Sequence, residues 1–171
     1  MTPSPQHQNL ILDKAQIEQK ITRMAYQIYE KNFEEQEIVL AGIHPNGYTL
    51  AGMLALKLQE ISALKVQLLR ITLNKTSPLE MPVTLEPEHL PLADKTIVLV
   101  DDVLNTGKTL AYTLSAFLPH TPKKVEIATL VNRHHPLYPV ASTYTGYSLA
   151  TTLNEHIMVY LDEDNYGAYL N

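Results

Sequence analysis

At 171 residues the chain carries about one domain's worth of sequence, enough to bury a proper core. Its 45% apolar and 18% charged content excludes a disordered chain, the absence of cysteine excludes disulfides and thiol catalysis, and no run of 18 apolar residues is present to cross a membrane. A net charge of −5 disfavours broad nonspecific nucleic-acid binding, though a local basic face would survive it.

Residues 1–9 lack both a charged start and an apolar stretch, so they read as a flexible tail and not as a secretory signal. A single domain over 10–171 and a cytoplasmic location are the expectations. Asp13, with Gln16 three residues on, has the capping-box pattern and predicts a helix running to about Asn32. Ile17, Ile21, Met24 and Ile28 recur at helical spacing and form its core face. Thr22, Tyr26, Tyr29 and Phe33 make a second stripe, which suits further core or a subunit contact equally well. Lys20, Arg23 and Lys31, with Glu30 and Glu34 beside them, read as a solvated mixed-charge face.

Ile38 to Ala41 reads as a strand, Gly42 to Gly47 as a loop, and Tyr48 to about Gln59 as a helix. Val66 to Leu73 is the next strand. Residues 74–94 carry prolines at 78, 82, 87 and 91, and so long an irregular stretch predicts a flexible lid loop with a short hairpin inside it. Strands at Ile97 to Val100 and Val125 to Val131 flank a helix from Gly107 to Leu118. Two short strands, near Ser142 to Thr145 and Ile157 to Leu161, close the chain. Strands alternating with helices predict an α/β fold, with a central parallel sheet flanked by helices and right-handed crossovers.

The most informative stretch is Ile97-Val-Leu-Val-Asp-Asp-Val-Leu-Asn-Thr-Gly-Lys-Thr109. An apolar run feeds two adjacent carboxylates, then a turn of small residues, then a helix. In open α/β sheets ligands bind at the carboxyl ends of the strands. The turn offers backbone N–H groups, two hydroxyls and the positive end of a helix dipole, a combination suited to phosphate.

This pattern resembles the phosphoribosyl-diphosphate (PRPP) motif of type I phosphoribosyltransferases over thirteen residues. The likeness extends from about Leu10 to Asn165, and within the superfamily it points to the group of bifunctional pyrimidine operon regulators and uracil phosphoribosyltransferases. Ile11-Leu-Asp13, Thr22-Arg-Met-Ala25, Ile71-Thr-Leu73 and Leu130-Val-Asn-Arg-His-His-Pro-Leu-Tyr-Pro-Val140 carry it in order along the chain. The resemblance implies a Rossmann-like sheet with a small hood drawn from segments of 133–171. It implies an enzyme that converts a nucleobase, uracil before others, to its nucleoside 5′-monophosphate and releases pyrophosphate, with Mg²⁺ as cofactor and a homodimer or higher oligomer as assembly. Carried over by position, Asp101 and Asp102 hold the ribose hydroxyls, directly or through Mg²⁺. Asn105, Thr106, Gly107, Lys108 and Thr109 hold the 5-phosphate. Ile43, His44, Pro45, Asn46 and Gly47 form the pyrophosphate loop, Lys75 sits in the lid, and Arg133 lies at the base or hood.

The chain also departs from the pattern. The pyrophosphate loop usually carries Arg or Lys before its second Gly; here it reads His44-Pro45-Asn46. Asn105 stands where 6-oxopurine enzymes have an Asp, which weighs against hypoxanthine or guanine. The lid lacks the Arg-Asp-Asp run of the regulator group, leaving Lys75 as its cation, and Tyr26 replaces a His of the first helix, which weighs against RNA binding. The missing loop cation and lid residues favour the alternative, a PRPP- or nucleotide-sensing regulator with weak or no catalysis, for which RNA is a candidate partner that Tyr26 argues against. His134-His135 has no third partner at metal spacing and reads as solvated or in contact with the hood. Arg133 suits a surface salt bridge about as well as a substrate contact.

Overall fold

The computed structural model describes residues 9–77, 81–152, 154–164 and 166–171. Of the tail expected over 1–9, residues 1–8 fall outside that description; Asn9 opens a strand instead. Pro78 of the expected lid also lies outside it. In chain order the elements are β1 (Asn9–Leu12), α1 (Lys14–Asn32), β2 (Glu37–Ile43), α2 (Asn46–Ile61), β3 (Lys65–Thr72), β4 (Thr84–Glu86), β5 (Thr96–Leu104), α3 (Lys108–Phe117), β6 (Lys124–Asn132), β7 (Tyr144–Ser148), β8 (Ile157–Tyr160) and β9 (Gly167–Leu170).

The main sheet has the order β4-β3-β2-β5-β6-β7. All its pairings are parallel except that of β4, which folds back antiparallel on β3 at the edge. The short hairpin expected inside the lid is therefore formed with β3. Alternation along the central strands sorts their side chains into two cores. Ile38, Leu40, Val98 and Val100 face α1 and α2; Val39, Ala41, Ile43, Ile97 and Leu99 face α3 through Leu110 and Phe117. Near-continuous apolar strands are what a sheet covered on both faces requires. The predicted stripe Ile17, Ile21, Met24 and Ile28 is buried as expected. Each such side chain contributes about 1.5–3 kcal/mol of transfer free energy.

Asp13 caps α1: its carboxylate accepts from the Gln16 N–H at 2.8 Å, and the Gln16 side chain accepts from the Asp13 N–H at 2.9 Å. The far end of α1 is pinned to the sheet by the Asn32 amide, which donates to the Ile28 carbonyl, Glu126 Oε1 and the Tyr144 hydroxyl at 2.8–3.2 Å.

The hood is a separate antiparallel sheet, β1-β9-β8. It draws on residues 9–12 as well as on the C-terminal segments, so the expected boundary at 133 omitted one of its strands. Leu12, Ile157, Val159 and Ala168 join the core beneath α1 and α2, which makes hood and sheet one packed body. Among the described residues no helix is long and apolar enough to cross a membrane.

Candidate active site

The β-strands set the site's position. β5 pairs with β2 only as far as Val100, opposite Gly42, while its pairing with β6 continues to Leu104. Beyond Val100, β5 has lost one neighbour, and the opening falls between two strands whose following helices pack on opposite faces. This is the topological switch point of the sheet, where doubly wound folds bind their ligands. Asp101 and Asp102 are the first residues past it, so they lie within β5 and not beyond its end.

Strand alternation then parts the two carboxylates. Asp102 turns to the α2 side. Its Oδ2 accepts from Asn46 Nδ2 at 2.9 Å and its Oδ1 from the Val103 N–H at 2.8 Å. Asp101 is 3% exposed and accepts from the Asp102 N–H at 2.9 Å. Lys75, arriving from the segment after β3, places Nζ 3.5 Å from Asp101 Oδ1. Burial, and after it the adjacent Asp102 charge, push the Asp101 carboxyl up to about 8 against the pull of Lys75. Ionising both carboxylates would set two adjacent negative charges against one ion-pair partner, Lys75, with Lys108 elsewhere in the lining of the same cleft.

Two helix N-termini flank the pair. The expected loop from Gly42 to Gly47 is much shorter: Gly42 and Ile43 finish β2, Asn46 and Gly47 begin α2, and His44 and Pro45 alone connect them. The side chain of Ile43 is fully buried in the α3-side core, and the His44 N–H is engaged by the Ile71 carbonyl at 2.8 Å. The backbone donors of this loop are therefore the first N–H groups of α2, which have no acceptor within a helix. Gly47 allows the approach. A Cβ there would stand 2.5 Å from the Val100 carbonyl oxygen, so any side chain would lift α2 away from β5.

On the other side, Thr106 and Gly107 turn the chain into α3. Gly107 is its N-cap, in the left-handed region at φ 87°. Lys108 donates its N–H to Thr106 Oγ1 at 3.3 Å, and the Thr106 carbonyl accepts from Leu137 and Tyr138 at 2.8 and 3.1 Å. A cleft of about 250 Å³, lined by Lys75, Asp101, Asp102 and residues 103–110, opens over this turn. A larger groove of about 770 Å³ lies between α1 and α2, lined by Met53 and Leu56 among others, but it touches neither carboxylate. Position and chemistry, not volume, select the smaller cleft. Gly107→Ala puts a Cβ 2.4 Å from Val140 Cγ2 and a side chain at positive φ. We expect it to lower the stability measured by urea unfolding by about 1–3 kcal/mol; an unchanged midpoint would show that the cradle tolerates a side chain.

Arg133 corrects a sequence expectation. It is 7% exposed, and among the described residues it forms no surface salt bridge. Its guanidinium donates to Asn105 Oδ1 at 2.8 Å, Thr151 Oγ1 at 2.9 Å, the Thr152 carbonyl at 3.3 Å and the Glu155 carbonyl. Four donated bonds tie the turn before α3 to the segment leading into the hood, and one of them engages Asn105 Oδ1. His135 Nε2 lies 2.5 Å from the Thr151 carbonyl oxygen, against the same segment. Groups of three or more metal-ligating side chains are absent among the described residues. Sequence reasoning did not find Asn46 as a partner of Asp102, nor Thr151 and Glu155 as partners of Arg133. No local pattern announces contacts between residues so distant along the chain.

A parallel sheet of order β3-β2-β5-β6-β7, two helix N-termini at its switch point and an antiparallel hood above them define the type I phosphoribosyltransferase class of fold. The chain belongs to the phosphoribosyl transferase domain family, whose model matches residues 7–164. It is 34% identical over 160 residues to the bifunctional protein PyrR of Macrococcus caseolyticus, covering 90% of this chain and 92% of that one. With the bifunctional protein PyrR of Haemophilus ducreyi it shares 35% identity over 161 residues, 89% of each chain. The hypoxanthine phosphoribosyltransferase of Trypanosoma cruzi superposes with a TM-score of 0.79 over 95% of both chains at 15% identity. A hypoxanthine-guanine phosphoribosyltransferase from Bacillus anthracis gives 0.74 over 94% of this chain and 95% of the other at 21%. These two likenesses speak to the fold alone.

Proposed function

We propose that the protein transfers the 5-phosphoribosyl group of PRPP to uracil, releasing pyrophosphate. The observation that carries this reading is the pair of helix N-termini on either side of two adjacent carboxylates. PRPP has a phosphate group at each end and a ribose between them, and the site repeats that order. The α3 end suits the 5-phosphate through the N–H groups of Gly107, Lys108 and Thr109 and the hydroxyls of Thr106 and Thr109. The α2 end suits the pyrophosphate through backbone donors of Asn46 and Gly47, with His44 and Pro45 shaping the turn and Lys75 adding charge from the lid side. Asp101 and Asp102 suit the ribose hydroxyls.

In the transfer, a ring nitrogen of the base forms its bond to C1 of the ribose as the C1–oxygen bond to pyrophosphate breaks, and the proton of that nitrogen leaves to the departing pyrophosphate or to solvent. Positive charge grows on the ribose ring and negative charge on the departing group. The carboxylates stabilise the first, and the α2 N-terminus and Lys75 the second. Closure of the stretch between β3 and β4, which carries Lys75, would exclude water, which otherwise intercepts the ribosyl cation. Two adjacent carboxylates at the mouth of an open cleft, with one ion-pair partner, fit Mg²⁺, a hard cation that binds through few protein oxygens and completes its shell with substrate and water. Held by Asp101 and Asp102, it would supply positive charge to offset the negative charge of the departing pyrophosphate. Uracil as acceptor rests on the resemblance to the pyrimidine group and on Asn105, which lacks the carboxylate expected for 6-oxopurines. Self-association fits the same reading, since α1 leaves Tyr26 and Phe33 exposed, at 53% and 64%. Analytical ultracentrifugation reads the state directly.

The test is a product assay with PRPP, Mg²⁺ and a panel of bases. Equal amounts of uridine 5′-monophosphate and pyrophosphate are expected with uracil. Another base reacting in its place would reassign the acceptor, and silence with every base would overturn the enzyme reading. The loop without a cation favours one second reading, a nucleotide-responsive RNA-binding regulator. For that protein, RNA affinity should fall steeply with salt, as phosphate contacts dictate.

A further inference from the structure

The side chain of Asn46 is not directed at the pyrophosphate side of its own turn. As the first residue of α2 it reaches across the switch point, and its single amide nitrogen donates twice, to Asp102 Oδ2 at 2.9 Å and to the Val159 carbonyl of β8 at 2.9 Å. Both partners are acceptors, one a carboxylate and one a backbone carbonyl. An amide turned the other way would set Oδ1 against two oxygens, so the pairing fixes the orientation. Both hydrogens of Nδ2 are then spent. The second oxygen of Asp102 is held by the Val103 N–H, which leaves that carboxylate with one orientation relative to the strand.

The geometry around Asn46 is built for this reach. Gly47 lets α2 lie directly on the β5 backbone, 2.5 Å being all the room a Cβ would find below the Val100 oxygen. Val159 is 5% exposed and packed in the same core as α2, so its carbonyl is a fixed point of the hood. One side chain thus connects the hood sheet, the first turn of α2 and the carboxylate proposed to meet the ribose.

We propose that Asn46 is a positioning residue, which holds the Asp102 carboxylate and sets the hood in register with it, and that its side chain is not a pyrophosphate ligand. This rests on the transferase reading above and reassigns one residue within it. A carboxylate free to rotate loses the alignment with the ribose that the transition state needs, while the backbone donors that hold pyrophosphate are untouched. Misplacement of a reacting-site group by an ångström is enough to lower rates about 100-fold.

The experiment compares Asn46→Ala with the native chain in steady-state kinetics, and adds a double-mutant cycle with Asp102→Ala read as melting temperature without substrate. The expected result is a fall in kcat of tenfold or more with KM for PRPP changed less than threefold. In the cycle, the double variant should melt no lower than the worse of the two single variants. A raised KM for PRPP with kcat preserved would make Asn46 a pyrophosphate ligand and overturn the proposal, as would strictly additive melting shifts. If the native chain is inactive with every base, the transferase reading fails by itself. The cycle then still decides whether Asn46 holds Asp102.

Discussion

Asp102→Asn is expected to lower turnover by about 100-fold or more while the far-ultraviolet circular dichroism spectrum stays native. The magnitude follows from what one fixed charge facing a developing charge is worth in a cleft shielded from water, on the order of 3 kcal/mol or a factor of 10²–10³. The substitution keeps the shape of the side chain and removes the charge. It also sets one amide nitrogen toward another, because Asn46 already donates to Oδ2 and Val103 to Oδ1. A modest loss of melting temperature should accompany the kinetic effect, and its small size would separate lost chemistry from lost fold. PRPP binding followed by calorimetry should weaken much less than turnover, since both phosphate cradles are backbone and helix termini. Near-normal turnover in this variant would sink the assignment of Asp102.

The features of this site differ in how far local sequence reveals them, and the reason is range. The motif strand, the turn at Gly107 and the start of α3 are contiguous, and each is specified by the residues that form it: apolar strand, small residues at the turn, φ 87° at a glycine. The cap at Asp13 and the buried face of α1 are equally local, and both appear where the periodicity places them. The hood is different. β1 and β9 come from opposite ends of the chain, with Asn9 facing Leu170, and neither stretch has an alternation long enough to read as a strand alone. The loop from Gly42 to Gly47 looked long because Gly, Pro and Asn all signal turns. In the fold those residues are absorbed, Gly42 by strand pairing opposite Arg70 and Gly47 by contact with the β5 backbone. The sequence leaves Arg133 open between a surface salt bridge and a substrate contact because its acceptors, Asn105 on one side and residues 151, 152 and 155 on the other, are brought together only by the completed sheet. The site thus combines a motif that is legible and a supporting frame that is not.

Asp101→Asn is expected to act oppositely on activity and on stability. Turnover should fall, since a carboxylate of the proposed ribose site is lost. Stability of the protein without substrate or divalent cations should rise, and by an amount that grows with pH. The folded chain holds the Asp101 carboxyl at about 8, chiefly through burial and the neighbouring Asp102. An unfolded chain releases that proton near 3.9. Between those values the native state binds a proton that the unfolded state has already lost, so raising the pH through this window draws the equilibrium toward unfolding. The cost develops at up to about 1.4 kcal/mol per pH unit and levels off above the folded value. Lys75, 3.5 Å away, opposes it. An amide at 101 keeps an oxygen for the Asp102 N–H and carries no charge to bury, so the pH-dependent loss disappears with the carboxylate. Melting curves of the two proteins should therefore lie nearest each other at about pH 4, by the unfolded value, and separate in favour of the variant by about pH 8. If they stay parallel across that range, Asp101 is ionised in the folded chain at low pH and its burial is compensated by something other than Lys75. If they separate as expected, the native sequence keeps at its centre a carboxyl whose ionisation weakens the empty fold.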